Sequence, residues 1–150
     1  MDDERIRQFE TELWVGGEDV YRRRVADDCV MVLPEPPFVL SGWQAIEAVS
    51  KTPRWSDVTL DDLRIVRPQD GLIVIAYGVT ASRGGESFAA NCTSTYLRIG
   101  HEDWRVVQHQ QSVRGGAASA GSGGGSRGSG EMERAQQDAA EKREDESGYQ

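Results

Sequence analysis

An α+β domain is predicted, with a curved and mostly antiparallel sheet closed on one side by helices. Three observations lead there. Turn signals at Gln69-Asp70-Gly71, Arg83-Gly84-Gly85-Glu86 and Gly100-His101-Glu102-Asp103 separate runs rich in β-branched and aromatic side chains, the pattern of an antiparallel meander over residues 57 to 112. Ahead of it the chain shows helical spacing and a single early strand, so helices must cover one face of the sheet and leave a cup. From Val113 onward there is one Val, one Met and one Tyr among Gly, Ser and charged residues, too little apolar surface to offset the entropy of ordering. The expected organisation is therefore a folded domain over 1–112 and a disordered tail over 113–150.

The elements follow in order. Ile6, Phe9, Leu13 and Trp14 recur at helical spacing with acids early, which predicts an amphipathic helix over 3–15 ended by Gly16-Gly17. Glu18 to Arg24 is a second, short helix carrying Val20 and Tyr21 inward. Asp27-Asp28 then turns the chain into a strand, Cys29 to Leu33, which Pro34, Pro36 and Pro37 stop. Phe38 to Leu40 reads as an edge strand. Ser41 is an N-cap for a helix from Gly42 to about Ser50, along which Glu47 and Lys51 are spaced to pair. In the following strand the alternation slips around Asp61-Asp62-Leu63, the mark of a bulge. Leu72 to Ala81, Phe88 to Ile99 and Trp104 to Gln111 complete the meander.

Charge and composition exclude several functions. The formal charge is −8; residues 113–150 carry five cationic and seven acidic side chains, leaving twelve against eighteen in the domain. Neither portion is basic, so nucleic-acid binding by phosphate neutralisation is not expected. Arg22-Arg23-Arg24 lies where cations complement a helix C-terminus. No apolar run approaches the roughly 18 residues of a membrane span, and the charged start lacks a signal core. Cys29 and Cys92 both sit in apolar strand patterns and fit a reducing, cytoplasmic compartment. Without zinc-like spacing or a phosphate-cradling glycine motif, no metal, nucleotide or other cofactor is expected. The tail splits into a Gly/Ser linker, 115–130, and a charged stretch, 131–146, with no apolar face to dock.

The order helix, helix, strand, strand, helix and four-stranded meander, filled by Trp14, Ala26-Asp27-Asp28, Ser41-Gly42-Trp43-Gln44-Ala45-Ile46 and Trp104-Arg105-Val106-Val107-Gln108-His109-Gln110-Gln111, resembles the DUF4440 and SnoaL-like members of the nuclear transport factor 2 (NTF2-like) superfamily. The resemblance covers about residues 1–112. It implies a cone-like, cystatin-like fold in which the sheet wraps a long first helix, an internal pocket, and commonly a homodimer through the outer sheet face. It does not imply one reaction, because this fold hosts isomerases, dehydratases, cyclases, association domains and binding modules. The ketosteroid isomerase branch uses a Tyr, a base Asp and an acid Asp; matching outward from Ala26-Asp27-Asp28 and from the last hairpin puts these at Phe9, Leu33 and Thr95. None can do that work, since Phe9 and Leu33 carry no polar atom and a threonine hydroxyl is too weak an acid.

Alternation in the strands predicts that Cys29, Met31 and Leu33 share the ligand face of the first strand, and Ala89, Asn91, Thr93, Thr95 and Leu97 that of the fifth. Trp14, Tyr21, Trp43, Trp55 and Tyr77 are candidate aromatic walls. His109, expected to share a face with Val107 and Gln111, is the group whose charge changes near neutral pH; Cys29 could form a nucleophile pair with it. Asp27-Asp28, Asp61-Asp62 and Glu102-Asp103 are read as turn or bulge residues. Three functions follow: a homodimeric module binding a small apolar or amphipathic molecule, oriented by Asn91, Thr93, Thr95 and His109; an isomerase, lyase or cyclase acting on a carbonyl compound, with His109 as base and Tyr77 as donor; and an association domain with the acidic tail as adaptor.

Overall fold

The computed structural model describes residues 1–114, so the predicted tail, apart from its first two residues, lies outside the described residues. Helix α1, Asp3–Val15, starts where the Asp2 side chain accepts from the Arg5 amide at 2.8 Å, with Asp3 and Glu4 in its first turn. It stops at Gly16, where a Cβ would lie 2.5 Å from Val20 Cγ2. The stripe it buries is Ile6, Glu10, Leu13 and Trp14. Phe9 is only partly buried and lies beneath the Arg24 guanidinium, 3.6 Å from the ring centre. Helix α2, Glu18–Arg24, carries the three arginines in its last turn, where they complement the dipole.

Strand β1, Val25–Val32, begins four residues before the predicted Cys29. Asp27 and Asp28 are therefore strand residues rather than a turn: parallel pairing with the last strand, starting at Val25 opposite Val106, outweighs their turn preference, and both side chains stay exposed beside a register slip. Strand β2, Val39–Ser41, pairs antiparallel with β1. Helix α3, Gly42–Val49, opens with a capping box in which Ser41 Oγ accepts from the Gln44 amide and the Gln44 side chain accepts from the Ser41 amide.

Strands β3 (Asp57–Gln69), β4 (Leu72–Arg83), β5 (Glu86–Gly100) and β6 (Asp103–Val113) are joined by three two-residue turns, with positive φ at Gly71, Gly84 and Glu102. The six strands lie in the order β2-β1-β6-β5-β4-β3, antiparallel except for β1 beside β6. The predicted bulge is present, between Asp61 and Arg64, with Asp62 at φ 52°.

The inner face of β4 is Ile73, Ile75, Tyr77, Val79 and Ala81, and the turn at Gly84-Gly85 registers these against Tyr96, Ser94, Cys92, Ala90 and Phe88. The expected parity of β5 is thus reversed. Asn91, Thr93, Thr95 and Leu97 point to the outer face, because burying Ile73 and Ile75 leaves their even-numbered partners no other side. In β6 a slip between the pairs Tyr96–Val106 and Thr95–Gln108 changes the phase, so Val106 rather than Val107 shares the interior with His109. Ile6, Ile73, Ile75, Val79, Tyr96 and Val106 form the centre of the core. No helix among the described residues is long and apolar enough to cross a membrane.

Candidate functional site

The sheet curls over α1 without filling the space at one end. A cavity of about 260 Å³ remains there, between the C-terminal half of α1, the inner ends of β1 and β6, α3, and the turn containing Pro34, Pro36 and Pro37. Leu13, Met31, Leu33, Leu40, Ala45 and Val49 supply aliphatic wall. Phe88 lies between two tryptophans, stacked on Trp55 with centroids 5.7 Å apart and tilted against Trp14 at 5.9 Å. The polar groups on the wall are Tyr21, Glu35, Thr52, Arg54, Arg83, His109 and Gln111.

Behind this wall is a carboxylate that the sequence did not mark out. Glu10 falls one turn after Ile6 and one before Trp14, on the buried stripe of α1, and its exposure is 0%. Tyr77 Oη and Ser94 Oγ both donate to its Oε2, at 2.5 and 2.6 Å, and Tyr96 Oη donates to its Oε1 at 2.5 Å. Three hydroxyls from two adjacent strands therefore solvate an ion that water cannot reach. The only available signal was a charged residue at helical spacing between apolar ones.

The network reaches the cavity through His109. Its Nδ1 lies 2.7 Å from Ser94 Oγ and 3.5 Å from Glu10 Oε2, and its Nε2 lies 3.1 Å from the Gln111 amide nitrogen. Ser94 has one proton, which goes to Glu10, so Nδ1 carries a proton and donates to Ser94 Oγ; Nε2 then keeps its lone pair and accepts from Gln111. Burial lowers the His109 pKa from its ordinary 6.5, against the opposing pull of the Glu10 charge and a hydrogen bond with the Thr93 backbone. The edge of the imidazole also meets Trp14, at 6.2 Å and 75°. This is a neutral imidazole held in one tautomer with its basic nitrogen at a cavity wall.

Trp14, Tyr21, Met31, Leu33, Trp55 and His109 come together on this cavity. Trp43 does not: it is 56% exposed and stays off the cavity wall. The Tyr77 hydroxyl is committed, donating to Glu10 while accepting from Trp14 Nε1 at 3.0 Å, and burial followed by the Glu10 charge pushes its pKa well above 10.0. Asn91 and Thr93 instead border a more open groove of about 370 Å³ on the outer sheet face, with Asp62 and Arg64. Thr95 donates to Gln108 Oε1 at 3.0 Å. The outer groove is the more open of the two; the inner cavity is more enclosed and holds the oriented histidine. Burial pushes the Cys29 thiol up to about 12, so it has no thiolate with which to act as a nucleophile near neutrality. Among the described residues no three His, Cys, Asp or Glu side chains converge as a metal site.

No family model matches the chain, and no curated protein matches it. Solved structures do. An NTF2-like protein of unknown function in nutrient uptake from Rhodospirillum rubrum superposes with a TM-score of 0.63 at 16% identity, over 75% of this chain and 98% of that one. A ketosteroid isomerase-like protein from Parabacteroides distasonis gives 0.61 at 16% identity, over 72% and 84%. The association domain of C. elegans CaMKII gives 0.58 at 13% identity, over 73% and 91%. The same fold is thus shared by an isomerase-like protein and an association domain alike, and the described part of this chain has the NTF2-like fold.

Proposed function

We propose that the domain, a DUF4440 or SnoaL-like one, binds a small, largely apolar molecule in the inner cavity, with His109 and Gln111 as polar contacts. The observation that carries this is the cavity itself: aromatic and aliphatic walls with a few converging polar groups are what small-molecule sites consist of. Thermal-shift screening of wild type and His109→Ala against metabolite pools tests it. Ligands that stabilise the wild type and lose much of their effect in the variant are expected; no stabilising compound across broad libraries would overturn it. Cytoplasmic residence is part of the same proposal, supported by the two buried thiols, Cys29 and Cys92.

The Glu10–Ser94–His109 relay favours a second reading, in which His109 Nε2 is a general base towards a carbonyl compound in an isomerase, lyase or cyclase reaction. Once a substrate displaces the Gln111 amide, the Nε2 lone pair, with the opposite nitrogen anchored on Ser94, has the geometry of such a base. In deuterated water, a base of this kind exchanges the α-protons of a bound β-keto ester, read by mass spectrometry. Ligands proven to bind yet showing no exchange above the His109→Ala background would remove it. The adaptor role for residues 113–150 lies outside the described residues; unchanged pull-down partners after their deletion would count against it.

A further inference from the structure

We propose that the cavity is a carboxylate site: Arg54 anchors the acidic head of a small apolar acid whose body lies against Trp14, Phe88 and Trp55. This rests on the cavity reading above and deepens it by naming the ligand class. Arg54, half-buried on the segment between α3 and β3, lines the cavity. Its Nε donates to the Gly16 carbonyl at 2.7 Å, and its Nη2 donates to the Leu13 carbonyl at 2.5 Å and to Tyr21 Oη at 3.4 Å. These bonds fix the plane of the guanidinium and satisfy carbonyls that the end of α1 leaves without helical partners.

All three acceptors are formally neutral. The helix end contributes only about half a negative charge, so the cation is not balanced by them. Among the described residues no carboxylate lies within 4.0 Å of Arg54, whereas Arg83, the other arginine on the cavity, pairs with Glu86 at 3.3 Å. Two carboxylates are in the neighbourhood. Glu10 acts on the same Tyr21 hydroxyl as Arg54 does, but it is fully buried and saturated by Tyr77, Ser94 and Tyr96. Glu35 is on the proline turn, exposed, where water screens it. A partly buried cation held in a fixed plane without a counter-ion is set up to receive one.

The remaining donors define its shape. Nη1 takes part in none of these bonds, so two of the five guanidinium N–H groups stay available, both on Nη1, to give charge-assisted hydrogen bonds to a carboxylate. At the other polar wall His109 Nε2 carries no proton, and its lone pair accepts from Gln111. A carboxylate is also acceptor-only, which directs the acid head to Arg54 and away from His109. The volume, about 260 Å³, lies below the roughly 300–1,000 Å³ of drug-sized sites, and the aromatic cluster suits one ring or a short chain.

Matched acid and amide pairs test the assignment. Phenylacetate with phenylacetamide, 3-phenylpropionate with its amide, and heptanoate with heptanamide are titrated calorimetrically into the full chain at neutral pH, in wild type, Arg54→Gln and Arg54→Lys. In wild type at least one acid should bind about tenfold or more tightly than its amide. That preference should vanish in Arg54→Gln and shrink in Arg54→Lys, which keeps a charge but loses the plane in which bonds to α1 hold the Nη1 donors. Acids and amides binding equally to wild type would overturn the carboxylate assignment and leave the cavity reading standing. A preference that survives Arg54→Gln would overturn it too, by placing the anchor elsewhere. Arg54→Gln drops bonds to α1; if it fails to fold, an undiminished preference in Arg54→Lys overturns the assignment instead. Six silent compounds would also overturn it, whereas the cavity reading falls only with the broad screen.

Discussion

Glu10 is the residue on which most of the site depends. Its two oxygens organise Tyr77, Tyr96 and Ser94, and through Ser94 they set the tautomer of His109. Glu10→Ala leaves three buried hydroxyls without an acceptor, each at about 1–3 kcal/mol, a large part of a typical 5–15 kcal/mol domain stability. Urea denaturation should therefore find Glu10→Ala destabilised by several kcal/mol and Glu10→Gln, which keeps one acceptor oxygen, by less. The same cluster makes stability depend on pH at both ends. With its pKa lowered in the fold, His109 stays neutral while the unfolded chain takes up a proton; stability is full above pH 6.5 and falls as the pH drops below it, by at most about 1.4 kcal/mol per unit. The raised pKa values of Tyr77 and Tyr96 work in the opposite direction: stability is full below pH 10.0 and is lost as the pH rises beyond it. Melting temperature against pH should show a plateau between two falling limbs, and His109→Asn should flatten the acid limb; an unchanged acid limb in that variant would contradict the assignment.

At the scale of the element, turns and caps fix what the strands and helices present. The two-residue turn at Gly84-Gly85 pairs Arg83 with Glu86 and so places Ser94 opposite Ile75; this one register brings the serine, not Asn91 or Thr93, under Glu10. Helix α3 is set with equal strictness. A Cβ on Gly42 would stand 1.7 Å from the Ala26 carbonyl oxygen, a backbone atom that cannot yield without moving β1. Gly42→Ala is expected to cost several times the roughly 1 kcal/mol lost with the cap in Ser41→Ala, and to lower the melting temperature correspondingly more. Since α3 forms one wall of the cavity, a ligand found in the screen should bind more weakly to Gly42→Ala than to Ser41→Ala.

For the whole molecule, the outer sheet face is the surface left to explain. Val66 is 57% and Leu97 40% exposed, and they stand beside Val74 and Leu72 on adjacent strands. We propose that this face makes a homodimer, as apolar exposure on one sheet face favours. Light scattering should give a dimer for the full chain and a monomer with unchanged circular dichroism for Val66→Lys with Leu97→Lys; a wild-type monomer at all concentrations would end the proposal.

Element order, the three tight turns, the cap at Ser41 and the bulge near Asp62 are legible along the chain, because helical period, turn chemistry and breaks in alternation are local properties. Of the cavity wall, Trp14, Tyr21, Met31, Leu33, Trp55 and His109 are side chains that helical spacing and strand alternation single out, whereas Phe88, Arg54 and the wall from α3 carry no such local signal. Which face of β5 is interior, the phase change in β6 and the role of Glu10 were decided by the tertiary structure. Parity in β5 depends on what β4 buries, and the alternation there, Asn, Thr, Thr and Leu against Ala, Cys, Ser and Tyr, carries little contrast of its own. A glutamate on an apolar stripe becomes stable only when Tyr77, Ser94 and Tyr96, some seventy to ninety residues away in the chain, fold over it with their hydroxyls.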